Sequence, residues 1–121
     1  MFIEKINNYE DGATFLLKLP VEEYFYTNNN LVKSLLYKNY QGIYISFQRP
    51  LKNILNSFKQ NNIDCKKIKI IDYASEDMLI NDYNDNYTKI STLNINIILK
   101  DIIDNLTKIK TKNKFILIDS L

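Results

Sequence analysis

The chain has no histidine and no tryptophan, one cysteine, one arginine and two glycines among 121 residues. Each scarcity excludes a class of chemistry. Without histidine there is neither a His–Asp catalytic pair nor a histidine metal site. One cysteine, Cys65, makes no internal disulfide and no thiolate zinc site. Average usage, about 7 %, would supply roughly eight glycines. Gly12 and Gly42 stand thirty residues apart. A phosphate loop of the form G-x-x-x-x-G-K-[ST] needs two glycines five apart, and a G-x-G-x-x-G fingerprint needs three. No apolar run reaches the length of a membrane span, and Met1-Phe2-Ile3-Glu4-Lys5 is not the start of a secretory leader. The expectation is a cytoplasmic domain.

What is present suits one packed domain. Hydrophobic residues make up 45 % and charged residues 25 %, with a net charge of +2. That balance lacks the strong basic field of a nucleic-acid binder. The pattern alternates strand and helix. Ala13–Leu19, between Asp11-Gly12 and Pro20, reads as a first strand. Asn28–Asn30 can cap a helix over Leu31–Asn39, which Gln41-Gly42 would end. Ile43–Phe47 reads as a second strand. Pro50 opens a helix with Leu51, Ile54, Leu55 and Phe58 at i, i+3, i+4, i+7, and Asn61-Asn62 end it. Lys67–Asp72 is a third strand. Residues 74–90 read as a polar loop with a possible helical turn at Met78–Ile80. Ser91 or Thr92 caps a helix to about Ile109 with the stripe Ile95, Ile98, Leu99, Ile102, Leu106, Ile109, and Phe115–Ile118 is a fourth strand. Such an order implies an α/β fold, a mostly parallel sheet between two layers of helices.

Three pieces then stand in order: Gly42-Ile43-Tyr44-Ile45-Ser46-Phe47-Gln48-Arg49-Pro50, Ile68-Lys69-Ile70-Ile71-Asp72-Tyr73-Ala74-Ser75, and Phe115-Ile116-Leu117-Ile118-Asp119-Ser120-Leu121. Together they resemble the RecA-like, KaiC-like P-loop ATPases widespread in archaea, whose Walker B strand ends in D-S-L. The resemblance implies a minimal four-strand RecA-like sheet in the order third, second, fourth, first. In the family a further strand lies between fourth and first. The resemblance therefore implies a single domain over 1–121, truncated after Walker B, whose gap is closed by the first strand or by a neighbouring chain. An open gap would expose hydrophobic sheet edges, which favours an oligomer or a protein partner.

The family's nucleotide chemistry does not carry over. Its phosphate loop would fall at Pro20–Thr27, where no glycine or lysine stands and Glu22 and Glu23 would repel a triphosphate. Gln48-Arg49 occupy the place of its catalytic glutamates, and neither serves as a carboxylate base. Asp119 alone keeps the type of the Mg²⁺-associated position. The bland alternative is a strand-end carboxylate bonded to nearby backbone.

Ligands of open parallel sheets bind beyond the carboxyl ends of the strands. The candidates for a nucleotide or partner surface there are Glu22, Glu23, Gln48, Arg49, Asp72, Asp119 and Ser120. For Arg49 a salt bridge to Glu22, Glu23 or Asp119 is the simpler expectation. No catalytic residue, metal or cofactor is expected. The expected function is that of a pseudo-ATPase acting through protein–protein interaction or regulation. The alternative is a nucleotide-binding subunit of a composite ATPase, completed by a partner chain. No nucleic acid or membrane partner is expected.

Overall fold

The computed structural model describes residues 12, 14, 16–74, 87–89 and 95–119. Among them are three helices, α1 (Tyr24–Tyr37), α2 (Leu51–Gln60) and α3 (Ile95–Lys108). The strands are β1 (Gln41–Ser46), β2 (Ile68–Asp72), β3 (Tyr87–Lys89) and β4 (Lys114–Ile118). All four are parallel, in the order β3-β2-β1-β4. The α/β fold and the neighbour order of the three long strands match the sequence expectation. The polar stretch before α3 contributes β3, an edge strand that the residue pattern did not reveal. The expected turn at Met78–Ile80 lies outside the described residues.

Side-chain alternation divides the core. Tyr44, Ile68, Ile70 and Leu117 point to one face, where Val32 and Leu36 of α1 and Leu51, Ile54 and Phe58 of α2 cover them. Ile43, Ile45 and Ile71 point to the other, under Ile102, Leu106 and Ile109 from α3 and its end. A sheet covered on both faces needs apolar residues at successive positions. β1 satisfies this with Ile43, Tyr44 and Ile45 all buried. Tyr44 meets Phe58 edge to face at 5.8 Å.

Four expectations are corrected. Among the described residues the first strand is not formed: Thr14 and Leu16–Leu19 have no regular structure, and Leu16 is 85 % exposed. Pro20 offers no N–H to a ladder, and its carbonyl instead accepts from Glu23 N–H at 3.0 Å, starting a 3₁₀ turn over Val21–Glu23. Secondly, α1 starts seven residues before Leu31, so Asn28 and Asn29 are buried inside the helix rather than capping it. Tertiary contact outweighs their capping preference, since Asn29 Nδ2 donates to Ser57 Oγ of α2.

The third correction concerns Gly42, which lies inside β1 and ends no helix. The left-handed residue after α1 is Asn39, at φ 67°, and Asn62 repeats the device after α2 at φ 57°. Gly42 answers to a different constraint. A Cβ there would sit 2.5 Å from the Phe115 carbonyl oxygen and 2.6 Å from its ring carbons. Fourthly, the stripe on α3 divides. Ile102 and Leu106 pack on the sheet and Ile98 is half-buried, whereas Ile95 and Leu99 are exposed.

Candidate functional site

The carboxyl ends of β1, β2 and β4 meet at the end of the sheet where the chain order reverses, with β2 on one side of β1 and β4 on the other. Asp119, one residue beyond β4, is fully buried there. Its N–H donates to the Ile45 carbonyl at 3.1 Å. Its Oδ1 accepts from the Phe47 N–H at 3.0 Å and its Oδ2 from Ser46 Oγ at 2.6 Å. Ser46 is the hub of this corner. Its hydroxyl also lies 2.6 Å from the Arg49 carbonyl and accepts from the Arg49 N–H at 2.9 Å. The loop leaving β1 is thereby folded back on the strand and tied to β4.

Asp72 plays the matching part at β2. Its Oδ1 accepts from the Ala74 N–H at 2.7 Å and its Oδ2 from the Leu51 N–H at 3.1 Å. Leu51 opens α2, and Pro50 in the cap position has no side-chain acceptor to offer. A carboxylate reaching across from β2 supplies the missing cap, with its charge at the positive end of the helix.

Arg49 is nine-tenths buried against α1. Its guanidinium lies 4.0 Å from the centre of the Phe25 ring, a cation–π contact. Arg49 Nη1, Tyr44 Oη and Asn28 Nδ2 are all buried without a hydrogen bond of good geometry. Burial pushes the Tyr44 phenol up to about 12. The Asp119 charge adds to that shift, and Arg49 opposes it. On the far side of the sheet end, Phe47 and Tyr73 stack at 5.1 Å.

The structure therefore joins Arg49, Asp72 and Asp119 in one buried corner. It leaves Glu22, Glu23 and Gln48 exposed, and Ser120 lies outside the described residues. Sequence reasoning missed Ser46, Tyr44 and Asn28. Ser46 had a readable signal: a hydroxyl ending an apolar strand, immediately before a turn and a proline. Asn28 had none, because only the earlier start of α1 brings it here.

Chemically, the corner is a set of backbone staples. Both carboxylates accept bonds from the chain's own N–H and O–H groups. Among the described residues no cluster of three His, Cys, Asp or Glu could hold a metal ion. At the opposite end of the sheet a recess of about 70 Å³ is lined by Leu36, Tyr40, Gln41 and Lys67. That is well under the roughly 300 Å³ of a small-ligand pocket. No helix among the described residues is long and apolar enough to cross a membrane.

Fold and site together define an α/β domain with a parallel sheet and an internally stapled carboxyl-end corner. Comparisons with protein-family models, curated proteins and solved structures find no match to this chain.

Proposed function

We propose that this chain is a non-catalytic domain on a RecA-like, KaiC-like framework, a pseudo-ATPase that works by protein–protein contact as a regulator or scaffold. One observation carries the reading. Asp72 and Asp119, the carboxylates at the end of the sheet where a nucleotide and its metal would sit, are buried and bonded to Leu51, Ala74, Ser46 and Phe47. Turning either toward a metal would break two hydrogen bonds to a charged acceptor, each worth about 1.5–3 kcal/mol. The 3₁₀ turn at the place of a phosphate loop adds support, since it presents the exposed carboxylates Glu22 and Glu23. A phosphate would meet repulsion there.

The second reading, a nucleotide-binding subunit completed by a partner, draws on Arg49, whose Nη1 is buried without a hydrogen bond of good geometry. Thermal unfolding with rising ATP and Mg²⁺ separates the two. A ligand that binds only the folded chain at one hundred times its Kd adds about 2.7 kcal/mol of stability. The contact reading expects an unmoved transition. A saturable upward shift, lost in Arg49→Lys, would establish the second reading in its place.

A further inference from the structure

The strands are parallel, so β1, β2 and β4 start at one end of the sheet, and α1, α2 and α3 finish there. That end carries eight exposed lysines. Lys38, Lys59 and Lys108 stand at the carboxyl ends of the three helices, where they complement the helix dipoles. Lys66, Lys67, Lys110, Lys112 and Lys114 belong to no α-helix and fill the approaches to β2 and β4. Lys114 Nζ is engaged by the Leu106 carbonyl at 3.1 Å. Of the described carboxylates, only Asp64 lies in these connections, and it accepts the Lys66 backbone N–H at 3.0 Å. Asp104 is one turn inside α3.

A net charge of +2 is a sum over the chain, whereas the field depends on where the charges stand. Glu22, Glu23, Asp72 and Asp119 lie at the other end of the sheet. The fold therefore separates charges that the sequence interleaves. The expectation of no nucleic-acid partner rested on the sum.

The basic end also has shape. The recess of about 70 Å³ opens where the turn after α1, the start of β1 and the turns before β2 and β4 meet, at Asn39, Tyr40, Gln41, Lys67 and Thr111. Lys38 precedes Asn39, and Lys110 and Lys112 flank Thr111. Such a recess cannot enclose a small molecule, so a ligand drawn by the lysines lies across the end. Tyr37, the last residue of α1 and the neighbour of Lys38, is 88 % exposed.

We propose that this end binds single-stranded nucleic acid without regard to sequence. The sugar–phosphate backbone crosses Lys38, Lys67, Lys110 and Lys112, and a base stacks on Tyr37. The activity goes beyond the contact reading and uses the opposite end of the sheet from the stapled corner. Three features favour it over an acidic protein. Protein interfaces are depleted in lysine, and the chain's one arginine, the better fork for a carboxylate, is buried at the other end. Lysine meets phosphate as a point charge, which positions a backbone and reads no sequence. The Tyr37 ring, almost wholly in water, offers a flat face to a base. A duplex keeps its bases stacked on one another, so the ring selects a single strand.

Fluorescence anisotropy of labelled oligothymidylate and oligouridylate of about 20 nucleotides, with the full chain, tests this. Four phosphate contacts at about 0.7 each give a slope of about −2.8 in log K against log salt. Raising salt from about 50 to 200 mM should then weaken binding roughly fiftyfold. Lys67→Gln with Lys112→Gln should make the slope shallower by about 1.4, whereas Lys52→Gln, at the far end of α2, should change nothing. Tyr37→Ala should weaken binding at least about fivefold and leave the slope alone, and Tyr37→Phe should keep it. These side chains are exposed, so the urea midpoints of the variants should hold.

No binding at about 20 mM salt would overturn the proposal. So would polyglutamate of matched charge binding as tightly, which would make the end a site for acidic protein. A duplex preferred over the single strand, with Tyr37→Ala without effect, would overturn it as well. An equal loss in Lys52→Gln would show diffuse attraction and no site.

Discussion

Asp119→Ala removes a fully buried carboxylate that ties the ends of β4 and β1 together. Two hydrogen bonds go with it, from Ser46 Oγ at 2.6 Å and from the Phe47 N–H at 3.0 Å. Bonds to a charged acceptor contribute about 1.5–3 kcal/mol each, and a buried N–H left without a partner costs a further share of its desolvation. The two bonds belong to one corner and do not add in full, so the expected loss is about 3–5 kcal/mol. That is a large part of the roughly 5–15 kcal/mol of a domain this size. In urea unfolding followed by circular dichroism, the midpoint should fall by roughly 2–3 M at a slope of about 1.5 kcal/mol per M. Ser46→Ala should cost about 1.5–3 kcal/mol on the same grounds. Because the two side chains touch, the double variant should show a coupling of about 1–2 kcal/mol. A residue held for an absent ligand behaves in the opposite way, since its removal relieves repulsion or changes little. A loss below about 1 kcal/mol for Asp119→Ala, or a coupling near zero, would refute the staple.

Gly42→Ala places a methyl 2.5 Å from the Phe115 carbonyl, and rigid backbone cannot yield as a side chain can. A cost of about 1–3 kcal/mol is expected in the same assay, and an unchanged midpoint would mean that β1 and β4 do not approach as described. Asp72→Ala strips the cap from α2 and breaks two buried bonds like those of Asp119, so hydrogen exchange at Leu51 and Ala74 should rise with a global loss of about 3–5 kcal/mol. Burial raises the phenols of Tyr44 and Tyr73 to about 12, with Asp119 and Asp101 respectively adding to it. A folded pKa above the unfolded 10.0 means that this stability is whole below pH 10 and is lost as pH climbs toward 12. The tyrosinate absorbance that Tyr44→Phe and Tyr73→Phe remove should therefore be the late-rising part, appearing together with unfolding. If these substitutions remove absorbance that rises near the ordinary phenol range instead, the burial of the two phenols is refuted.

The parts of the fold that could be read from sequence were those governed by local pattern. The Leu51, Ile54, Phe58 stripe and the unbroken Ile43–Ile45 run each state a period and a degree of burial. Asp72 and Asp119 were legible as strand-end carboxylates at the carboxyl edge, because parallel topology carries such residues to one end. The failures came from tertiary contact. Asn28 and Asn29 look like caps until Ser57 and Tyr44 are brought beside them. Ala13–Leu19 has strand-like residues, but residue type alone does not supply a neighbouring strand. The α3 stripe is apolar at both Ile98 and Ile95, and only the position of the sheet decides which of them is covered. Ser46 could have been suspected as a polar residue ending a buried strand, yet its partners lie 3 and 73 residues away.

The stapled corner also secures a strand end. Among the described residues β4 is five residues long and paired on one side, which would ordinarily leave its end prone to fray. The Asp119 N–H and carboxylate hold that end to Ile45, Ser46 and Phe47. Asp119→Asn keeps the shape of the corner and weakens its bonds, so amide exchange at Leu117 should quicken together with the loss of stability. If stability falls and exchange at Leu117 is unchanged, the end of β4 does not depend on the staple.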